Sequence, residues 1–179
     1  MIITIGGTAG GGKSSVASAL AKKLGYNHFS AGDLYRKLAK DKSLALAELN
    51  KRAEADSSFD NLVDDKLKEL GRKEDDFVVD SRLGFFFIPD SIKIFLEAKL
   101  KTRAKRTLDK QRFEECPENV KEAVKLIKER EQSDTKRYEK LYGVNPFDVN
   151  HYDLVVDTTN NSVEQTTDVV YRFLLPKLK

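Results

Sequence analysis

The sequence is poor in cysteine: Cys116 is the only one among its 179 residues, so no disulfide bond can form within the chain. No His or Cys lies near Cys116 at a metal-ligand spacing, and we interpret it as a structural or surface thiol. Long apolar runs are also missing, because no window approaches the ~18 apolar residues of a transmembrane helix. The first residues lack the basic region and apolar stretch of a signal peptide. We therefore expect a cytoplasmic protein without a membrane partner.

The charge balance is nearly even, with 32 basic and 29 acidic residues and a net charge of +3. So small an excess does not by itself indicate a nucleic-acid partner. Basic residues are nevertheless concentrated between Lys99 and Arg112, where Asp109 is the one acidic residue. Such a run is typical of a solvated helix face, but it also fits an electropositive wall beside an anionic substrate. A nucleic-acid surface is a third hypothesis, and it rests on this run alone.

The pattern of apolar residues predicts one α/β domain over residues 1–179, since 40% hydrophobic content suffices for a single core. Short β-branched or apolar runs predict strands at Ile2–Ile5, Phe77–Asp80, Ile92–Leu96 and Leu154–Val156, and Asn27–Ser30 is interpreted as a further short strand. Helical spacing predicts helices at Lys13–Leu24, Gly32–Lys40, Ala45–Ala55, Phe59–Leu70, Lys99–Leu108, Pro117–Leu141 and Ser162–Leu175. Strands that alternate with helices favour a parallel sheet.

Residues 7–14 match the phosphate-binding pattern G-x-x-x-x-G-K-[ST] in full, between a predicted strand and a predicted helix. We expect backbone N–H groups of the loop to bind ATP phosphates, with Lys13 across the β- and γ-phosphates and the Ser14 hydroxyl on Mg²⁺. Ser15 follows as a further nucleotide-binding candidate. The loop itself consists of Gly7, Thr8, Ala9, Gly10, Gly11 and Gly12. A glycine-rich turn without a ligand is disfavoured, because Lys and Ser also fall in place.

Asp80 closes a predicted apolar strand, where an acidic residue can lie beside the phosphate loop. There its carboxylate could orient Mg²⁺ or the waters bound to it. A carboxylate that merely caps a turn is the alternative interpretation. We favour Asp80 as a metal-site residue together with Ser14.

The phosphate loop alone does not separate a kinase from a regulatory nucleotide-binding module. A guanine-specific switch protein would need an N-K-x-D loop, and the nearest match, residues 50–53, reads Asn-Lys-Arg-Ala. Arginines favour a kinase whose acceptor is itself a phosphate, because two anions must then be brought together and no strong general base is needed. For Arg130 and Asp134 alone, a surface ion pair would be the simpler interpretation. The set that favours acceptor binding is Arg36, Arg82, Arg130, Asp134 and Arg137.

Several motifs together resemble the cytidylate kinase family, in its short archaeal-type form, in order and spacing through nearly the whole chain. Beyond the generic phosphate loop, the more specific elements are Asp80-Ser81-Arg82 and the Arg-x3-Asp-x2-Arg pattern of Arg130, Asp134 and Arg137. The remaining matches are residues 30–36, 89–96, 103–106 and 152–157.

The resemblance implies a nucleoside monophosphate kinase fold, with an acceptor-binding helical region at about residues 31–72 and a lid at about 99–116. It implies CMP or dCMP as the acceptor and ATP with Mg²⁺ as the donor. Catalytic roles would fall to Lys13, Arg82, Arg106 and Arg137. The acceptor would contact Ser30, Asp33, Arg36, Arg82, Arg130, Asp134 and Arg137, and the lid would bring Arg103 or Arg106 to the ATP phosphates.

Two departures from the family pattern bear on these expectations. The loop reads Thr8-Ala9-Gly10-Gly11 instead of the more usual proline-containing or Ser-Gly version. Leu83 stands where the long form carries an Asp that helps to read the base, so base recognition cannot be carried over. The following run, Phe85–Ile88, is either core or one wall of a base pocket.

Two further hypotheses stay open at this point: a small P-loop kinase for adenylate or a metabolite, and a P-loop module that has lost phosphoryl transfer. For the leading one, the ligands are small-molecule nucleotides. We expect no nucleic-acid partner and a monomer.

Overall fold

The computed structural model describes residues 1–44, 48–49, 52–53, 56, 58–73, 75–109 and 117–178. Five parallel strands form one sheet in the order β2-β3-β1-β4-β5. All strands except β2, which reads Asn-His-Phe-Ser, contain one of the apolar or β-branched runs that predicted them. Their bounds are β1 Ile2–Gly7, β2 Asn27–Ser30, β3 Phe77–Asp80, β4 Ile92–Glu97 and β5 Leu154–Asp157. The expectation of a parallel α/β fold is confirmed.

Helices follow the strands along the described chain, as the alternating pattern predicted. Their bounds are α1 Lys13–Leu24, α2 Ala31–Asp41, α3 Ser58–Lys73, α4 Gly84–Phe87, α5 Leu100–Asp109, α6 Val120–Tyr142 and α7 Val163–Leu174. Single 3-10 turns occur at Val149–His151 and Leu175–Lys177. Helix α7 begins with a capping box, in which Ser162 and Gln165 satisfy each other's backbone N–H groups.

Two main apolar clusters hold the helices to the sheet. Strand residues such as Ile3 and Ile5 pack with Leu20 of α1 and with Val170 of α7. On the other side, Phe77 and Val79 pack with Val63, Leu67 and Leu70 of α3. Side chains of successive strand residues point to opposite faces of the sheet. Val78 therefore packs in the first cluster, whereas its neighbours Phe77 and Val79 pack in the second. A sheet covered on both faces leaves its carboxyl edge as the place for a site.

Two predicted helix ends are wrong for local reasons. The helix predicted to begin at Pro117 begins at Val120, because Asn119 is its N-cap and accepts a hydrogen bond from the backbone N–H of Glu122 at 3.0 Å. Gly71 was expected to end α3, but the helix continues to Lys73 and Gly71 packs against Ile88.

Parts of two predictions lie outside the described residues. For the helix predicted at Ala45–Ala55, only 48–49 and 52–53 are described, and they are helical. Of the predicted lid at about 99–116, residues 110–116 with Cys116 lie outside, whereas Leu100–Asp109 forms α5. In the part of the chain that the structure describes, no helix is long and apolar enough to cross a membrane.

Candidate active site

A cleft opens at the carboxyl edge of the sheet, where β1, β2 and β3 end next to one another. The phosphate loop, the start of α2, one face of α3, the segment after β3 and one face of α6 form its walls. Sequence-predicted residues that line it are Ala9, Gly10, Gly12, Lys13, Ser14, Arg36, Asp80, Arg82, Arg106, Arg130 and Arg137. Elements far apart in the sequence therefore contribute to one site.

The phosphate loop takes a backbone path that needs glycine at defined positions. Gly7 has φ +134°, and a Cβ there would overlap the carbonyl oxygen of Leu96 in β4. Gly10 has φ +76°, and a Cβ there would lie 2.7 Å from the carbonyl oxygen of Arg103. L-residues with side chains rarely adopt such angles, and here they would also collide with backbone. The loop is thus packed closely against β4 and α5.

Lys13 folds back over this loop. Its Nζ donates hydrogen bonds to the carbonyl oxygens of Gly7 and Thr8, both at 2.8 Å. Desolvation, followed by the positive charge of Arg82, lowers the pKa of Lys13 to about 7. The negative charge of bound phosphates would raise this pKa again and favour the protonated amine.

Ser14 and Asp80 lie together beside the loop, as the sequence predicted. The Ser14 hydroxyl donates to Asp80 Oδ2 at 2.6 Å, and Asp80 is only 5% exposed. His28 Nε2 lies 2.9 Å from Asp80 Oδ1, and the Ser30 hydroxyl donates to Oδ2 at 3.3 Å. The carboxylate is thus held from both sides. His28 had not been predicted, although the pairing of Ser30 with Asp80 across β2 and β3 places it on the same face two residues earlier.

A hydroxyl and a carboxylate are the hard oxygen ligands that Mg²⁺ prefers. Among the described residues, no group of three or more His, Cys, Asp or Glu side chains could hold a metal ion by itself. The pair therefore fits an ion that takes its remaining ligands from substrate phosphates and water, as Mg²⁺ does in phosphoryl-transfer sites.

Arginines and two buried aspartates form a network deeper in the cleft. Asp134 lies between Arg82 and Arg137, with Oδ2 2.9 Å from Arg82 Nε and Oδ1 3.2 Å from Arg137 Nη2. Arg137 Nε lies 3.4 Å from Oδ2 of Asp60 on α3. Arg130 has no ion pair among the described residues, and burial with the positive charge of Arg82 lowers its pKa to about 10. Three guanidinium groups thus face two carboxylates, which leaves positive charge for an anionic ligand.

Of the three candidate residues at the start of α2, only one lines the cleft. Arg36 lines the cleft and forms an ion pair with Asp33, and its side chain is 43% exposed. Asp33 and Ser30 do not line it. The Ser30 hydroxyl instead accepts a hydrogen bond from the backbone N–H of Asp33 and so caps α2. Ser15 lies within α1, behind the loop.

The two arginines of the predicted lid, Arg103 and Arg106, have different surroundings in the structure. Arg103 is buried, where its guanidinium pairs with Glu131 of α6 and donates to the carbonyl oxygen of Ala9 at 3.4 Å. Arg106 lines the cleft and donates to the hydroxyl and the carbonyl oxygen of Thr158, at 2.9 and 2.6 Å. Of the two, Arg106 is the one placed to meet a bound phosphate, whereas Arg103 braces the loop from behind.

Helix α3 supplies cleft residues that were missed from the sequence. Asp60 and Asp64, four residues apart, share the face of α3 that looks into the cleft, and both are buried. The Tyr35 hydroxyl donates to Asp60 Oδ1 at 2.7 Å, and the Tyr142 hydroxyl donates to Asp64. The signal that could have found them is their i, i+4 spacing beside the buried positions Val63 and Leu67.

The run Phe85–Ile88 does not line the cleft: Phe85 and Ile88 belong to the core, and Phe86 is 39% exposed. Phe85 is buried and stacks on His151 with ring centroids 4.7 Å apart, and Ile88 packs with the α3 cluster. Leu83, just before this run, does line the cleft.

A parallel sheet that carries a phosphate loop, a hydroxyl–carboxylate pair and a cluster of arginines in one cleft defines a P-loop phosphotransferase. The model of the cytidylate kinase-like family matches residues 2–160, and the chain belongs to this family. It is a nucleoside monophosphate kinase by that membership, as the motifs had indicated.

Curated relatives support the same assignment. The chain is 40% identical to a cytidylate kinase of Halobacterium salinarum, over 95% of this chain and 87% of that protein. It is 34% identical to a cytidylate kinase of Methanopyrus kandleri, over 100% of this chain and 95% of the relative.

Solved structures agree on the fold. A shikimate kinase from Bacteroides thetaiotaomicron superposes with a TM-score of 0.68 at 15% identity, covering 99% of both chains. At so low an identity the similarity concerns the P-loop kinase architecture and not the acceptor.

Proposed function

We propose that this protein transfers the γ-phosphoryl group of ATP to the 5′-phosphate of CMP or dCMP, which yields ADP and the cytidine diphosphate. The observation that carries this proposal is the arginine cluster beside the phosphate loop, in one cleft. The excess of guanidinium groups over carboxylates suits an acceptor that is itself a phosphate, and membership of the family supports a cytidine monophosphate.

On the donor side, the loop N–H groups and Lys13 hold the β- and γ-phosphates of ATP. Lys13 exchanges the carbonyl oxygens of Gly7 and Thr8 for phosphate oxygens when ATP binds. Arg106, three residues from Arg103 on α5, exchanges Thr158 for a phosphate in the same way. Both changes replace neutral acceptors by anions, which strengthens each hydrogen bond. The expected lid around residues 99–116 remains a prediction.

On the acceptor side, Arg36, Arg82 and Arg137 hold the monophosphate. Arg137 Nη1 is buried without a hydrogen-bond partner in the described structure, so a phosphate oxygen would satisfy it. Arg130 lines the cleft next to this phosphate subsite and contacts the sugar or base. Asp134 was expected to do the same, but it is buried and does not line the cleft, and its carboxylate orients Arg82 and Arg137 instead. The acceptor phosphate is already ionised near neutral pH, so the transfer requires positioning and charge neutralisation more than proton abstraction.

Ser14 and Asp80 are the residues that would hold Mg²⁺ beside the phosphate loop. The bound ion neutralises charge on the β- and γ-phosphates. His28 and Ser30 act on the metal site only by orienting Asp80.

The lowered pKa of Lys13 predicts that binding of Mg-ATP weakens as the pH rises above about 7. Below that pH, Lys13 of the free protein is already protonated and binds phosphates without proton exchange. Above it, the amine is mostly neutral, and the phosphates must raise its pKa and draw in a proton. The association constant then falls by at most about tenfold per pH unit until the pKa of the bound state is reached.

Isothermal titration calorimetry between about pH 6 and about pH 9 tests this, because proton uptake shows as a difference between buffers of unequal ionisation enthalpy. Lys13→Arg is the matched control, since its guanidinium stays charged. Any ionisation of the nucleotide itself is common to both proteins. Identical pH dependence and proton uptake in parent and variant would contradict the assignment.

An acceptor screen with Mg-ATP tests the function itself. We expect the highest kcat/KM with CMP or dCMP, lower values with UMP and AMP, and none with shikimate. A preference for AMP or for an alcohol would show that this compound, and not cytidine monophosphate, is the acceptor. ATP binding without transfer to any acceptor would indicate a nucleotide-binding module.

A further inference from the structure

On the α3 side, apolar side chains and two carboxylates, Asp60 and Asp64, line the cleft. Helix α3 contributes Val63, Asp64 and Leu67 to this wall, and Leu83 from the segment after β3 also lines the cleft. Aliphatic side chains suit the faces of a planar base, and a polar group among them suits its edge. The wall therefore has the composition of a base subsite.

Asp60 and Asp64 differ in the partners of their carboxylate oxygens. Asp60 Oδ1 accepts a hydrogen bond from the Tyr35 hydroxyl, and Oδ2 forms an ion pair with Arg137 Nε at 3.4 Å without a hydrogen bond. Asp64 is 4% exposed, and Oδ2 accepts from Tyr142, but Oδ1 has no partner among the described residues. Burial raises the pKa of Asp64 to about 6, so at neutral pH it is mostly an ionised acceptor.

We propose that Asp64 selects the base of the acceptor by accepting a hydrogen bond from the exocyclic 4-amino group of cytosine. This inference rests on the function proposed above. An ionised carboxylate can only accept hydrogen bonds, and cytosine presents an amino donor where uracil presents the O4 acceptor. A uracil base would bring O4 against the carboxylate and leave both without a donor, which disfavours UMP.

The side chain of Leu83, which also lines the cleft, offers no polar group to a base. Here the carboxylate comes from α3, and Leu83 contributes apolar surface. Tyr142 of α6 holds one oxygen of Asp64, which leaves the other oriented for the base. Asp64 is thus the specificity residue and Tyr142 its positioning residue.

Asp64→Asn tests the proposal, because the amide keeps the size of the carboxylate and adds a donor that suits O4 of uracil. We expect the ratio of kcat/KM for CMP to that for UMP to fall about 10- to 100-fold, with a gain for UMP. The matched control is Asp65→Asn, the next residue of α3, which is 74% exposed and pairs with Lys68. Its ratio should equal that of the parent.

Tyr142→Phe gives a second test that does not depend on the folding of the Asn variant. It frees the oxygen of Asp64 that Tyr142 holds and should lower the same ratio by a smaller factor. An unchanged CMP/UMP ratio in a folded Asp64→Asn protein overturns the inference and leaves the proposed function standing. Equal losses with CMP and UMP also overturn it, since Asp64 would then not read the base. A parent inactive with every monophosphate defeats the proposed function itself.

Discussion

Lys13→Ala is expected to lower kcat for phosphoryl transfer by at least about 1000-fold. The ammonium group neutralises charge that is spread over the transferring phosphoryl, and no other described cation is bound to the carbonyl oxygens of Gly7 and Thr8. Steady-state kinetics with saturating ATP and CMP measure the loss. The fold should survive the loss of this amine. Burial destabilises the charged form of Lys13, as its lowered pKa shows, so the ammonium group does not stabilise the folded protein.

Lys22→Ala serves as the control, since Lys22 lies on the same helix and is exposed. It should keep the activity of the parent, and thermal unfolding of both variants by circular dichroism checks the fold. A folded Lys13→Ala protein that retains more than a tenth of the parent kcat would remove the basis for the phosphate-loop assignment.

Arg82→Ala is expected to lower kcat/KM for the monophosphate by about 30- to 1000-fold, equivalent to about 2–4 kcal/mol of transition-state stabilisation. Its guanidinium lines the cleft and lies within the network around Asp134. Arg36→Ala should act in the same direction. The KM for ATP should change far less in both variants, and each substrate is varied separately to show it.

Arg82→Lys keeps the positive charge but removes the planar, two-pronged set of guanidinium donors. We expect its kcat/KM for the monophosphate to lie between those of the parent and of Arg82→Ala. Lys136→Ala is the matched control, because Lys136 is exposed on α6 next to Arg137. If the ATP parameters shift in Arg82→Ala and those of the acceptor do not, the two subsites have been assigned the wrong way round.

The elements that could be predicted from the sequence are those with a local signal. The helix Lys13–Leu24 has the bounds expected from its residues, because the helical period of its apolar residues and the following Gly25 define it locally. The phosphate loop is likewise a contiguous motif. Asp80 could be placed beside it because neighbouring parallel strands end at one edge.

Contacts between distant segments could not be predicted. Arg103 and Arg106 have the same sequence signal, and only the position of Glu131 on α6 decides that Arg103 is buried and Arg106 faces the cleft. Asp60 and Asp64 share an i, i+4 spacing, but that spacing alone also fits carboxylates on a helix surface. Their partners Tyr35 and Tyr142 are 25 and 78 positions away, so burial of these acids is a tertiary effect.

The central claim is tested most directly by following the γ-phosphoryl group of labelled ATP in the presence of CMP. The account predicts that the label appears as the β-phosphate of CDP, in step with formation of ADP, and that Lys13→Ala abolishes this transfer. Label released as inorganic phosphate at the same rate with and without CMP, with no labelled CDP formed, would contradict it.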